Sequence, residues 1–296
     1  MSSYTGTAVG NREDLSDIIT NIAPDDAPLM GKFGRADVKA MAHSWLTDSI
    51  GTPSVNKHLE DASYSVANAT PRLRLTNFVQ IFMKGYFVTE SQEVVAKAGI
   101  KSEIAYQMAK AMKEIARDVE YGIINNATST QGDAVTSGQF GGIPAFNTVN
   151  SVDMGGVALS TTGAVGGEAK FNDAMQLAWN AGGSPEIALC SGKNKRAISN
   201  WSANTQKTRG QGEKTLINVI DVYQSDFGVI KLMAHRLQPD SRIDMLELQY
   251  FKLAYLIPFK TMDLPKDSLK TAKVITGQLT MECRTKNAHA VLTNIV

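Results

Sequence analysis

The 296-residue chain is poor in the residues that most often carry chemistry. It has two cysteines, Cys190 and Cys283, and four histidines, His43, His58, His235 and His289. None of them has a partner nearby at metal-ligand spacing, which argues against a zinc site, and two isolated cysteines do not make a disulfide framework. Charge of one sign is also missing. Lys and Arg number 30 against 29 for Asp and Glu, a formal net charge of +1. A protein that grips nucleic acid by neutralising phosphates carries a basic excess, and this one does not. No apolar run approaches the roughly 18 residues a membrane span requires. The opening residues, Met1 to Gly6, lack the basic stretch and apolar run of a signal peptide. The composition therefore points to a soluble protein made in a reducing cytoplasm, with no membrane contact.

Familiar catalytic motifs are absent as well. There is no Gly-x-Ser-x-Gly elbow of the kind that presents a nucleophile in acyl transfer. Two segments imitate a phosphate loop. Gly210-Gln211-Gly212-Glu213-Lys214-Thr215 sets the acid Glu213 where a phosphate would have to approach. Ser191-Gly192-Lys193-Asn194 has Ile187 where the first glycine belongs and Asn194 where a Mg²⁺-binding hydroxyl belongs. No catalytic, cofactor-binding or metal-ligating residue is assigned on this sequence, and no cofactor.

What the sequence does contain is pattern. With 43% hydrophobic and 20% charged residues it has globular composition, enough for one large domain or two smaller ones. The first 37 residues read as an arm. Asn11-Arg12-Glu13-Asp14 is a helix start, and Leu15, Ile18, Ile19 and Ile22 form a one-sided stripe that Pro24 ends. So short a helix is marginal alone and must dock, either on its own domain or on a neighbouring subunit. From Val38 to Val88 the period becomes two. Leu73, Leu75, Val79, Ile81 and Met83 are predicted on one face, with Arg72, Arg74, Thr76, Gln80 and Lys84 on the other. Val38 to Leu46 is the predicted partner strand, and the polar stretch from Asp48 to Pro71 is the tip of a long hairpin. Such a ribbon cannot cover its own apolar face and needs a partner surface.

Thr89-Glu90-Ser91-Gln92 fits a capping box, with Gly99 placed to end that helix. The spacing then predicts a helix over about 102–126, with Ile104, Met108, Ala111, Met112, Ile115, Val119 and Ile123 on its packed face. Lys110, Lys113, Glu114, Arg117, Asp118 and Glu120 fall on the face predicted to be solvated. Residues 128–168 are rich in glycine and read as loops joining two subdomains. A helix from Phe171 to Ala181 stopped by Gly182-Gly183, a buried strand from Glu186 to Cys190 and a helix from Lys193 to Trp201 form a small α+β layer. Strands are predicted at 216–223, 227–235, 243–248, 253–257 and 275–283.

In this order the elements resemble the Hong Kong 97-type capsid fold of tailed-bacteriophage major capsid proteins. Local runs are similar to that family too. They include Arg12-Glu13-Asp14-Leu15-Ser16-Asp17-Ile18-Ile19 with Asn21-Ile22-Ala23-Pro24, Asn77 with Gln80-Ile81-Phe82, and Glu114 to Asn125 with Arg117-Asp118 and Glu120. Trp179-Asn180-Ala181-Gly182-Gly183-Ser184-Pro185 and Asp221 to Gly228 extend the likeness. One departure is Asp263-Leu264-Pro265-Lys266-Asp267-Ser268, where relatives tend toward an Ala-Lys-Thr-Gly-like run.

The resemblance implies an α+β chain divided into an arm (1–37), an extended β-hairpin loop (38–88), a peripheral domain (89–145 and 241–296) with a spine helix, and an axial domain (146–240). It implies a structural protein and not an enzyme, one that partners itself in hexamers and pentamers. Those capsomers would close an icosahedral shell around double-stranded DNA held without sequence specificity on the inner face. Portal and scaffolding proteins are implied partners, a decoration protein is left open, and the location is the virion, after assembly in a bacterial cytoplasm. The scaffold would be a separate protein or a segment already trimmed away. Some shells of this fold join a hairpin lysine to a neighbour's asparagine with help from a glutamate. Lys57 lies in such a loop, but loop lysines are commonplace and no cross-link is assigned. The alternative reading is a cytoplasmic α+β enzyme or ligand-binding protein with an unrecognised site.

Overall fold

A computed structural model describes residues 27–48, 50–51, 53–63, 71–95, 100–163, 166–201, 222–266 and 268–296. The arm helix predicted before Pro24, the Gly99 cap and the Gly210 to Thr215 segment lie outside the described residues. In chain order the elements begin with helix α1 (Pro28–Lys32) and strands β1 (Gly34–Asp37), β2 (Ala42–Thr47), β3 (Leu73–Phe78) and β4 (Gln80–Thr89). Helices α2 (Glu90–Val94), α3 (Glu103–Asn125) and α4 (Ile143–Phe146) follow, then β5 (Asn150–Asp153), α5 (Gly167–Asn180), β6 (Ile187–Cys190) and α6 (Gly192–Trp201). The chain ends through β7 (Val222–Ser225), β8 (Gly228–Ala234), β9 (Ile243–Leu246), β10 (Phe251–Asp263), β11 (Lys270–Cys283) and β12 (Ala290–Thr293).

Local chemistry explains where these elements start and stop. The Thr89 side chain accepts from the Gln92 N–H, as a capping box requires. Ser102 caps α3 by accepting from the Ala105 N–H at 3.3 Å. At 23 residues α3 is about 34 Å long. Helix α5 ends where Gly182 takes a φ of +85° and Gly183 N–H bonds the Ala178 carbonyl, the left-handed close that glycine makes without strain.

Two cores result. In the first, α3 lies on a four-stranded sheet of order β1-β10-β11-β4, with Ile115, Val119 and Ile123 packed against Phe82, Leu253, Ile275, Leu279 and Met281. In the second, α5 and α6 cover a six-stranded sheet of order β5-β12-β9-β6-β8-β7, joined by Phe171, Met175, Ile198, Ile230 and Met245. Strands β9 and β12 belong to this sheet, so a cut at residue 240 passes through it. The long hairpin β10–β11 carries Pro258 and shifts register between Tyr255 and Lys260. Phe259 lies over Gly277, where an added Cβ would sit 2.3 Å from the ring.

Two expectations need correction. The ribbon over 38–88 is not one hairpin. Only β2 and β3 pair in a two-stranded sheet, from Ala42 opposite Phe78 to Thr47 opposite Leu73. After Val79 the chain enters the four-stranded sheet as β4, paired antiparallel with β11. The joint resets the alternation: Val79 is buried, whereas Leu73, Ile81 and Met83, predicted beside it, are exposed. Likewise Met112 of the predicted packed face is exposed, and Glu120 of the predicted solvated face is fully buried. The last turns of α3 run between the two cores, so Val119, Glu120, Gly122, Ile123 and Ile124 are all covered.

Candidate assembly surface

The base of the β2–β3 hairpin is fixed to the body through buried polar contacts. Asn77 is fully buried and uses every hydrogen-bonding position its amide has. Its Nδ2 donates to the carbonyls of Gly141 (3.0 Å) and Met281 (2.6 Å). Its Oδ1 accepts from Gly141 N–H (2.8 Å), the Ser129 hydroxyl (2.9 Å) and Phe78 N–H (3.0 Å). On the paired strand Trp45 donates from Nε1 to the Cys283 carbonyl at 2.8 Å and its ring lies 5.9 Å from that of Phe146. His43 stands 3.3 Å from Glu282, which also accepts from Arg284. The apolar side of the ribbon base therefore faces its own body. Between hairpin and body a cleft of about 250 Å³ is lined by Thr47, Asp48, Leu73, Leu75, Val149 and Lys286.

Beyond the base the situation reverses. Every described residue from 50 to 63 is exposed. Ile50, Val55 and Leu59 are 101%, 83% and 79% accessible. The hydrogen bonds here are local, as from Lys57 N–H to Val55 and from Ala62 N–H to Leu59. Full burial of an aliphatic side chain contributes about 1.5 to 3 kcal/mol, so these three hold several kcal/mol that this chain's own body does not collect. A second exposed apolar strip lies on β4, where Ile81, Met83 and Phe87 point away from α3, with Lys270 Nζ 5.5 Å above the Phe87 ring. Among the described residues strand β4 is also an edge strand, with one side of its backbone unpaired in the sheet.

The residues weighed for chemistry sit in structural roles. Ser191 caps α6 by accepting from Asn194 N–H, and Asn194 Nδ2 donates to the Asp240 carbonyl, so the loop that imitates a phosphate site is closed on itself. Cys190 and Cys283 are buried, and burial pushes both thiols up to about 12. His58 is exposed beside Asn56. His289 is buried against Phe251, its Nδ1 accepts from Glu247 N–H, and burial lowers it to about 4. His235 lies 3.2 Å from Glu120. Lys57 is exposed, as a loop residue should be. Among the described residues no group of three or more His, Cys, Asp or Glu is placed to hold a metal ion.

Two residues in the family-like runs do more than the sequence reading assigned them. Gln80 accepts from Asn126 Nδ2 and from Phe140 N–H, and Asn77 anchors the hairpin. Their signal was a polar residue beside apolar ones at a strand joint, which composition alone does not distinguish from an exposed position.

Comparison with known proteins gives one answer. The family model described as SU10 major capsid protein matches residues 2–296. The major capsid protein of Escherichia phage Phieco32 is 26% identical over 122 residues, 41% of this chain and 35% of that protein, so the match spans about a third of the relative's length. The capsid of a native GTA particle superimposes with a TM-score of 0.69 at 14% identity, covering 100% of this chain and 99% of the other. For the cyanophage A-1(L) capsid the values are 0.68 and 12%, covering 96% and 97%. A structure of phage G major capsid and decoration proteins gives 0.60 and 9%, with complete coverage of both chains. The two-core architecture is thus shared well beyond detectable identity, and with a family match across nearly its whole length the chain belongs to the SU10 major capsid protein family and has the Hong Kong 97-type capsid fold.

Proposed function

We propose that the chain is a shell subunit and not an enzyme. It self-associates into hexamers and pentamers that close an icosahedral shell around the DNA of a tailed phage, assembled in the bacterial cytoplasm. In this reading the excursion between β2 and β3, residues 48–72, supplies the extended loop that lies over an adjacent subunit. The half built on α3 is the peripheral domain, and the half built on the six-stranded sheet is the axial domain. The near-neutral charge fits an inner face that encloses DNA without gripping its phosphates. Portal and scaffolding proteins are its further partners.

The observation that carries the reading is the contrast within one hairpin. Its base is held by a saturated buried amide, an indole N–H and a His–Glu contact, while the excursion beyond it exposes three large aliphatic side chains. A loop held rigidly in a direction that covers nothing of its own has its contact surface on another molecule. Closed symmetry repeats that contact at every subunit, so a modest contribution per copy accumulates over the shell.

Deleting residues 52–69 tests it. The truncated chain should keep the helical circular-dichroism signal of its parent and form no shells in electron micrographs. Shells of normal appearance would refute the assigned role of the loop. A small, defined oligomer from the parent chain would favour an enzyme or binding protein instead.

A further inference from the structure

We infer that Glu120 is a positioning residue for assembly, which fixes the angle between the two halves of the subunit and through it the curvature of the shell. The inference rests on the shell-subunit reading above. Both oxygens of this fully buried carboxylate are committed. Oε1 accepts from Leu29 N–H at 2.8 Å and lies 3.2 Å from His235 Nε2, and Oε2 accepts from Met30 N–H at 3.0 Å. Pro28 opens α1 and has no N–H, and Ala27 offers no side-chain cap, so the first donors of α1 depend on a group 91 residues away. His235 Nδ1 accepts from Leu237 N–H at 3.1 Å, which places the ring's N–H on Nε2, aimed at Glu120. One carboxylate on α3 therefore ties the root of the N-terminal segment in the first core to the chain leaving β8 in the second.

The surroundings make this a polar joint. Asn125 Nδ2 donates to the Leu237 carbonyl at 3.2 Å, and Arg242 reaches the Ile124 carbonyl at 2.6 Å. Arg242 Nε also bonds Asp244, a fully buried carboxylate that accepts from Gln238 and Asn147 as well. The end of α3 is thus held to residues 235–244 by directional bonds that are either made or broken, beside an apolar cluster in which Ile123 and Ile124 join Leu189 and Leu246. A joint of that kind has discrete settings, which is what a subunit needs if it must hold one curvature.

Glu120→Gln isolates the coupling without opening a cavity. A carboxamide has one acceptor oxygen and a donor nitrogen, so whichever way it turns at least one of the three bonds to Leu29, Met30 and His235 is lost. The variant should melt as a folded protein. Its amide at Leu29 or at Met30 should exchange at least tenfold faster in a hydrogen-exchange experiment, with those of Ile115 and Val119 unchanged. Its particles should differ from the parent's in mean diameter or in the width of the diameter distribution. Particles of unaltered size from a folded Glu120→Gln chain would overturn the inference. If that variant does not fold, His235→Phe carries the same test, because it removes the second-core donor to Glu120 together with the acceptor of Leu237 N–H and leaves α1 and Glu120 unaltered. Faster exchange at Leu29 and Met30 in His235→Phe supports the joint, and unchanged exchange overturns it. This readout needs no shell, so a parent chain that forms none would sink the shell reading while the joint is still decided.

Discussion

Asn77→Asp is the perturbation for which the structure gives the most definite magnitude. The two side chains have the same shape, so packing is preserved and only the hydrogen-bonding pattern changes. In the parent, Nδ2 donates to the Gly141 and Met281 carbonyls. In the variant an oxygen faces both of them. Each buried carbonyl left without a donor costs about 1 to 3 kcal/mol, and the carboxylate is fully enclosed with no cation among its contacts. The three donors on the other side, Gly141 N–H, Ser129 and Phe78 N–H, bind a carboxylate more strongly than an amide and return part of that loss. The net is a destabilisation of about 3 to 5 kcal/mol, which for a chain of this size corresponds to a melting point lower by roughly 5 to 8 °C. The sign of the pH dependence follows from the same geometry. A protonated carboxyl regains one donor, so the gap between variant and parent narrows as pH falls. Calorimetry of the two chains across pH 7 to 4, with Ser129→Ala as a single-bond control expected to lose about 1 kcal/mol, measures this. An Asn77→Asp chain within about 1 kcal/mol of its parent at pH 7 would show that the amide is not what fixes the hairpin base.

Two further outcomes follow from burial. Ile115→Asp places an unpaired charge on the packed face of α3 and should lower stability by at least about 4 kcal/mol in denaturant titration; a variant that unfolds with its parent would mean the helix face is wrong. His289, held down to about 4 against an ordinary 6.5, stays neutral in the fold while the unfolded chain takes up a proton, so its contribution is complete above pH 6.5 and is lost as pH falls toward 4. That amounts to about 3 kcal/mol, and His289→Asn should flatten the pH-stability curve over that interval by a similar amount.

The long helix was readable almost to the residue, because Ala111, Ile115, Val119 and Ile123 repeat at a fixed spacing and Ser102 caps locally. Both are short-range signals. The stretch from 73 to 88 was read as strand correctly and as a single strand wrongly. Alternation reports which residues share a face, but it does not report that the chain changes sheets at Val79. The full length of β10–β11 was hidden because Pro258 interrupts the pattern and the hairpin's outer half is charged and partly exposed. Glu120 was misplaced because its partners are Leu29, Met30 and His235, each at least 90 residues away. A faint signal did exist: Ala116 and Ile124 flank it four residues to either side, an apolar column in which a carboxylate must have found donors. The exposed excursion beyond residue 48 was legible as a polar, irregular tip, and its three aliphatic side chains were the informative part.

The role of the excursion is decided by where residues 50–62 lie when subunits meet. An electron cryomicroscopy map of particles assembled from the purified chain, at side-chain detail, measures this directly. The excursion should cross a different copy of the chain, with Ile50, Val55 and Leu59 covered there. A map in which the same segment runs through solvent, or turns back onto the body it came from, would contradict that role.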